Sequence, residues 1–108
     1  MSDQGGVVDL DREEVKRGLA DGSLVLVDVR EPHEFAAGHI PGSVLHPLSQ
    51  FDPAALPATA EGRRIVFSCR SGVRSVRAIE LAQAAGLNLY EHYRGGYKDW
   101  ADAGESVA

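Results

Sequence analysis

The stretch that decides the fold is IVFSCRSGVRSVRAIELAQAAG, at residues 65–86. It opens with a short apolar run, Ile65-Val66-Phe67, whose length and β-branched content predict a buried strand. The run leads to Cys69, the chain's one cysteine, and then to a glycine-containing turn and apolar positions at helical spacing. A strand, a tight turn and a helix start predict an anion cradle, because backbone N–H groups and the positive helix end face the turn. Such a setting lowers a cysteine pKa from about 8.5 toward roughly 3.5–7.5, so Cys69 is the candidate nucleophile.

The rest of the chain alternates helix and strand patterns. Asp11 as N-cap and Glu14 as its box partner predict a helix start, and Gly86 is placed to end the helix that follows the cysteine. The predicted helices cover residues 11–20, 31–37, 71–85 and 97–103, and the predicted strands cover 24–27, 44–45 (weak), 65–67 and 89–92. Residues 46–63 are expected to form a loop with one helical turn. This order predicts an α/β fold with a mostly parallel central sheet flanked by helices, which binds ligands beyond the carboxyl ends of its strands.

Length and composition limit the classes of protein to be considered. The 108 residues, 44% hydrophobic and 25% charged, fit one domain over residues 7–108 behind a flexible tail at 1–6. The net charge of −5 argues against a nucleic-acid partner, and no apolar run reaches the ~20 residues that cross a membrane. The acidic start lacks a signal segment, and one cysteine forms no internal disulfide, so we expect a cytoplasmic location. One cysteine and four dispersed histidines predict no metal site.

Positive charge is concentrated around the cysteine. Residues 62–79 carry five arginines and no acidic residue, which leaves −10 for the remainder of the chain. An electropositive island around a lone cysteine predicts a small anionic substrate. The alternative for Arg63, Arg64 and Arg77 is that they are solvated arginines on a helix face.

Three motifs give the chain a family resemblance. DVREPHEF at 28–35 with GHIPGS at 38–43, CRSGVRS at 69–75 and YRGGYKDW at 93–100 resemble, in order and spacing, the single-domain rhodanese family of sulfurtransferases. The resemblance spans about residues 7–103. It implies a three-layer rhodanese fold and transfer of a sulfane sulfur from thiosulfate or a related donor to cyanide, a thiol or a protein acceptor. It also implies a Cys69 persulfide held by the loop, with neither metal nor organic cofactor. The loop residues are Arg70, Ser71, Gly72, Val73, Arg74 and Ser75.

The spacing of the loop separates related chemistries. Cys69 and Arg74 are arranged as C-x4-R, whereas the related dual-specificity and tyrosine phosphatases use C-x5-R. A tighter ring suits one sulfur atom, and a larger ring suits a phosphate. A phosphatase or arsenate-reductase-like activity remains the alternative among enzymes. A non-catalytic persulfide carrier or sensor that docks on a partner needs the same thiolate and also remains open.

Individual roles within the loop follow from its expected shape. Arg70 is expected at the pocket mouth, where it attracts the charged end of thiosulfate. Arg74 is expected to bond either loop carbonyls or substrate. Gly72 allows the tight turn. The Ser75 hydroxyl either donates to the sulfur or caps the helix.

Outside the loop the expected roles are structural. Asp28 and Arg30 are expected to pin the loop that follows their strand, together with Glu34. His39 is assigned to structural hydrogen bonding in preference to base catalysis. Trp100 is expected to pack the last helix onto the sheet, and Tyr97 is expected to do the same or to line the pocket rim.

Overall fold

A computed structural model describes residues 6–57 and 63–108. In chain order its elements are β1 (Val8–Leu10), α1 (Arg12–Asp21), β2 (Leu24–Asp28), α2 (Pro32–Ala37), β3 (Val44–Leu45), two 3-10 turns (Leu48–Gln50 and Pro53–Ala55), β4 (Arg64–Ser68), α3 (Val73–Ala84), β5 (Glu91–Tyr93) and α4 (Gly96–Asp102). None of the helices in these ranges combines the length and apolar content needed to span a bilayer.

The five strands of the described residues form one sheet in the order β1-β5-β4-β2-β3, and all of their pairings are parallel. Parallel strands need helical crossovers, and these cover both faces of the sheet. Successive residues of β2 therefore enter opposite cores: Leu24 and Leu26 lie on one side, Val25 and Val27 on the other. The predicted α/β fold is confirmed, and the sheet is wholly rather than mostly parallel.

Each face has its own hydrophobic core. On one side α3 supplies Ala78, Ile79 and Ala82, which pack against β2 and β4 together with side chains from the 3-10 region. On the other side Val15 of α1 and Trp100 of α4 pack against the sheet. Two packed faces around one sheet make the three-layer arrangement that the family resemblance implies.

The predicted element boundaries are confirmed in part. Helix α1 has the predicted capping box, since the Asp11 carboxylate accepts from the Glu14 N–H at 2.9 Å and Glu14 accepts from the Asp11 N–H at 2.9 Å. The predicted start of α3 at Ser71 is wrong, because residues 70–72 wrap around the cysteine and the helix begins at Val73. The last strand lies at Glu91–Tyr93 rather than 89–92.

Other differences concern segments with weak local signals. Strand β1 was not expected; its three residues pair with β5 at the sheet edge. The loop after β3 holds two 3-10 turns instead of one, and residues 58–62 of it lie outside the described residues. Residues 1–5 of the predicted tail also lie outside them. The sixth, Gly6, accepts a hydrogen bond at 3.0 Å from the Gln83 side chain.

Candidate active site

Cys69 lies at the carboxyl end of β4, directly below the first turn of α3. The residue is 1% exposed, and its sulfur accepts the N–H of Gly72 at 3.1 Å and the N–H of Ser75 at 3.3 Å. The Ser75 hydroxyl lies 3.6 Å from the sulfur. The predicted cradle therefore forms around the cysteine sulfur itself, with donors from the loop and from the helix N-terminus.

These donors act against the effect of burial. Burial raises the pKa of the Cys69 thiol, because a buried thiolate loses its hydration. Hydrogen bonds to the sulfur outweigh burial and hold the pKa below its ordinary value; the donors are the Ser75 hydroxyl and the backbone N–H groups of Ser75, Ser71 and Gly72. The fixed donors thus give the Cys69 sulfur one property that a nucleophilic cysteine needs, a thiol pKa below its ordinary value.

Gly72 closes the loop over the sulfur. Its φ of 91° lies in the left-handed region, and a Cβ there would come 2.5 Å from the backbone carbonyl oxygen of Arg94. The position therefore excludes a side chain both by backbone angle and by space. The expected role of Gly72 in the turn is confirmed.

The start of α4, which contains Gly96, contacts the side of the loop that faces away from the sulfur. The carbonyl oxygens of Cys69 and Arg70 accept the N–H groups of Tyr97 at 2.9 Å and Lys98 at 3.0 Å. Gly96 has a φ of 66°, and a Cβ on it would lie 2.5 Å from each of those two oxygens. The start of α4 therefore binds the outer face of the loop that holds Cys69.

Arg74 pairs with a carboxylate that was not expected as its partner, and its expected contact with substrate stays a prediction. Its guanidinium forms two hydrogen bonds with the Glu34 carboxylate, at 2.7 and 3.0 Å, which join α3 to α2. This pairing lowers the pKa of Glu34 to about 2, chiefly through the hydrogen bond from Arg74. The expectation that Arg74 bonds loop carbonyls is wrong, because a two-pronged carboxylate is the better partner for a guanidinium. Glu34 correspondingly pairs with Arg74 rather than helping Arg30.

Asp28 and Arg30 perform the structural task expected of them. The Arg30 Nε lies 3.0 Å from both carboxylate oxygens of Asp28, and its Nη2 bonds one of them at 2.8 Å and the Gly38 carbonyl at 2.9 Å. The Arg30 guanidinium also lies 4.4 Å from the centre of the Tyr97 ring. Both charged groups are buried as a pair, and they tie the loop after β2 to the segment beyond α2.

His39 and Trp100 are likewise structural. The His39 ring stacks on Phe35 at 3.7 Å, and its Nδ1 donates to the Phe35 carbonyl at 3.0 Å. Trp100 is buried against Tyr93, and its indole N–H donates to the carbonyl of Ser106 at 2.7 Å. The structural role expected for each is confirmed.

Glutamates balance the charge of three of the five arginines in residues 62–79. Arg64, Arg74 and Arg77 each pair with a glutamate, at 2.7, 2.7 and 3.3 Å. Arg70 is exposed and has no ion pair within the described ranges. It borders an open cleft of about 360 Å³ shared with Tyr97 and Lys98, although Cys69 itself does not line that cleft. Of the two arginines of the loop, Arg70 is thus the one without a carboxylate partner in the described residues.

Sequence reasoning missed two residues that are connected to the sulfur through Ser75. His92 on β5 places its Nδ1 2.7 Å from the Ser75 hydroxyl, and its Nε2 lies 2.7 Å from an Asp9 oxygen on β1. No sequence motif contains the pair, because the two residues are 83 positions apart and the sheet brings them together. In the part of the chain that the structure describes, no three His, Cys, Asp or Glu side chains are grouped to hold a metal ion.

Comparison with known proteins gives the class that this fold and site define. Residues 11–103 match the rhodanese-like domain, so the chain belongs to the rhodanese-like family. A human protein named thiosulfate:glutathione sulfurtransferase is 35% identical over 102 residues, covering 82% of this chain and 89% of the human one. The structure of a human single-domain sulfurtransferase superposes with a TM-score of 0.74 at 33% identity, covering 90% of this chain and 97% of that one. An uncharacterised Synechocystis protein is 42% identical over 82 residues, and the match spans 45% of its length.

Proposed function

We propose that this protein transfers a sulfane sulfur from thiosulfate, or a related small anionic donor, to cyanide or a thiol through a persulfide on Cys69. The observation that carries the proposal is the buried sulfur with two backbone N–H groups aimed at it. The name of the human relative supports thiosulfate as donor and a thiol as acceptor.

The chemistry takes two steps. The Cys69 thiolate attacks the outer sulfur of thiosulfate; an S–S bond forms to the enzyme as the donor's S–S bond breaks, and sulfite leaves with the electron pair. The acceptor then attacks the outer sulfur of the persulfide, and Cys69 leaves as a thiolate. The N–H groups that now meet the cysteine sulfur would stabilise the terminal sulfur anion between the two steps. Arg70 would draw the sulfonate end of the donor toward the loop.

The phosphatase alternative is less well supported. A phosphatase would use Arg74 as its phosphate-binding arginine, and Arg74 directs two hydrogen bonds to Glu34 instead. The six-residue ring from Cys69 to Arg74 is also one residue shorter than the phosphatase loops. Both features favour a single sulfur over a tetrahedral oxyanion.

We further propose that the protein works in the cytoplasm, where a reducing environment keeps the lone thiol available. Its partners would be the small anionic donor and a thiol or protein acceptor, with no nucleic acid and no membrane.

The test is thiocyanate formation from thiosulfate and cyanide, followed by the same assay with glutathione as acceptor. The wild-type protein should turn over many times, and Cys69→Ser should abolish transfer while unfolding with a free energy within about 1 kcal/mol of wild type. One sulfur released per chain, without further turnover, would instead support the carrier. Appreciable turnover by Cys69→Ser would refute the cysteine mechanism.

A further inference from the structure

An unbroken line of hydrogen-bonding groups runs from the Cys69 sulfur to the protein surface. The sulfur lies 3.6 Å from the Ser75 hydroxyl, which lies 2.7 Å from Nδ1 of His92, whose Nε2 lies 2.7 Å from Asp9 Oδ1. The first three groups are fully or almost fully buried, whereas the Asp9 side chain is 50% exposed. Asp9 borders an open cleft of about 560 Å³ at the β1 edge. The line therefore joins the buried sulfur to water by a route other than the loop mouth.

The sheet register holds this line in place. His92 is the direct neighbour of Asp9 on β1 and of Phe67 on β4, so these side chains lie on one face of the sheet. Ser75 is on the first turn of α3, which packs over that face. The ring therefore has one fixed partner at each nitrogen, and the partner of Nδ1, the Ser75 hydroxyl, lies 3.6 Å from the Cys69 sulfur.

The donor and acceptor roles along the line are set by Asp9. A carboxylate only accepts, so Nε2 of His92 carries a proton and Nδ1 is free to accept one. When the ring is neutral, the single Ser75 O–H donates to Nδ1. The hydroxyl then has no proton left for the sulfur and can only accept a hydrogen bond from the Cys69 thiol. With a charged ring, Nδ1 donates to Ser75, and the hydroxyl turns its proton toward the sulfur.

We infer that His92, oriented by Asp9, is a positioning residue that takes the Cys69 thiol proton through the Ser75 hydroxyl and so keeps the sulfur ionised before the donor arrives. This inference rests on the proposed function for its purpose. The S–H bond of Cys69 breaks as its proton passes to Ser75, and the hydroxyl's own proton passes to Nδ1. Nothing is oxidised or reduced, and the total number of bound protons is unchanged. The product is a thiolate and an imidazolium held by the Asp9 carboxylate.

Other charged groups around the line have distinct positions. On β1 the charge is Asp9 itself, and Arg94, which follows β5, lies 3.8 Å from Asp9 with its side chain 76% exposed. Arg74 on α3 has a raised pKa, chiefly because of Glu34, and the charge of Cys69 adds a smaller share. The β4 neighbour, Phe67, is apolar. Asp9 is thus the one negative group on the line besides the thiolate.

The experiment is the rate of iodoacetamide alkylation of Cys69 against pH, in wild type, Asp9→Asn and His92→Asn. Asparagine at 92 keeps a hydrogen-bonding group near Ser75 but cannot take up a proton. We expect both variants to react about tenfold more slowly than wild type near pH 6, and to match it well above pH 8.5 where any thiol is ionised. Matched controls are Glu13→Gln, which removes an exposed negative charge, and His33→Asn, which removes an exposed histidine.

The direction of the Asp9→Asn effect separates this inference from simple electrostatics. Removing a nearby negative charge should by itself favour the thiolate and speed alkylation at low pH. The inferred relay predicts slower alkylation. Faster or unchanged rates in Asp9→Asn would overturn the inference.

A second readout does not depend on the fold of the variants at position 92. Nitrogen-detected NMR of the His92 ring near neutral pH should show a proton on both nitrogens in wild type and on Nε2 alone in Cys69→Ser. The same protonation in both proteins would overturn the inference. Neither readout uses a sulfur donor, so failure of the proposed sulfur transfer would leave these results unaffected and separately interpretable.

Discussion

Gly96→Ala is expected to displace the candidate active-site loop, residues 69–75. An alanine at φ 66° costs about 1–2 kcal/mol as a left-handed residue. Its Cβ would also meet the carbonyl oxygens of Cys69 and Arg70 at 2.5 Å, so the loop or the start of α4 has to move. That movement breaks the hydrogen bonds from Tyr97 and Lys98, worth about 0.5–1.5 kcal/mol each. The total is about 2–5 kcal/mol, which is a large part of the ~5–15 kcal/mol stability of a small domain.

Gly104→Ala provides the matched control. Gly104 has a similar φ of 78°, but a Cβ there meets nothing within 4 Å. Its expected loss is the left-handed cost alone, about 1–2 kcal/mol. The difference between the two variants isolates the contact with the loop.

Urea unfolding followed by Trp100 fluorescence measures the two losses, and the alkylation rate of Cys69 reports whether the cradle survives. We expect Gly96→Ala to lose more free energy than Gly104→Ala and to alkylate more slowly at neutral pH, because displaced N–H groups no longer stabilise the thiolate. Equal free-energy losses with an unchanged alkylation rate would refute the claim that Gly96 seats the loop.

Three further predictions concern charge and ring size. Arg70→Ala should lower kcat/KM for thiosulfate about tenfold but leave kcat/KM for an uncharged sulfane donor nearly unchanged. The control Arg77→Ala, which removes an exposed arginine of α3, should change neither value. Equal losses for both donors would assign Arg70 to loop structure. Glu34→Gln should cost about 1–3 kcal/mol at pH 7. Because folding lowers the pKa of Glu34 from 4.5 to about 2, wild type should lose this stability as the pH falls from about 4.5 toward 2, a loss that urea melts of the variant should lack. Hydrolysis of an aryl phosphate should be negligible beside sulfur transfer, and one residue inserted between Cys69 and Arg74 should impair the transfer; faster phosphate hydrolysis by the unaltered protein would reverse the ranking of the two chemistries.

Local patterns predicted the parts of the fold and site that local interactions form. The strand before Cys69, the cradle over it and the capping box of α1 each depend on residues within a few positions of one another. Their sequence signals are therefore complete within one segment. The start of α3 was misplaced because residues 71–72 fit a helical pattern, whereas Gly72 adopts a left-handed conformation and the helix begins at Val73.

Contacts between distant segments could not be predicted. Strand β1 has three residues and exists because β5 supplies its hydrogen bonds. The partner of Arg74 is 40 positions away on another helix, and that pairing decides that the guanidinium faces Glu34 instead of the loop. The contact of His92 with Asp9 depends in the same way on sheet order, which the spacing of apolar residues does not encode.

The most direct test of the central claim is the intact mass of the protein after incubation with thiosulfate. The account predicts a gain of one sulfur atom per chain, located on Cys69, lost on addition of cyanide and absent in Cys69→Ser. An unchanged mass in the wild-type protein, under conditions where the Cys69 thiol still reacts with iodoacetamide, would contradict it.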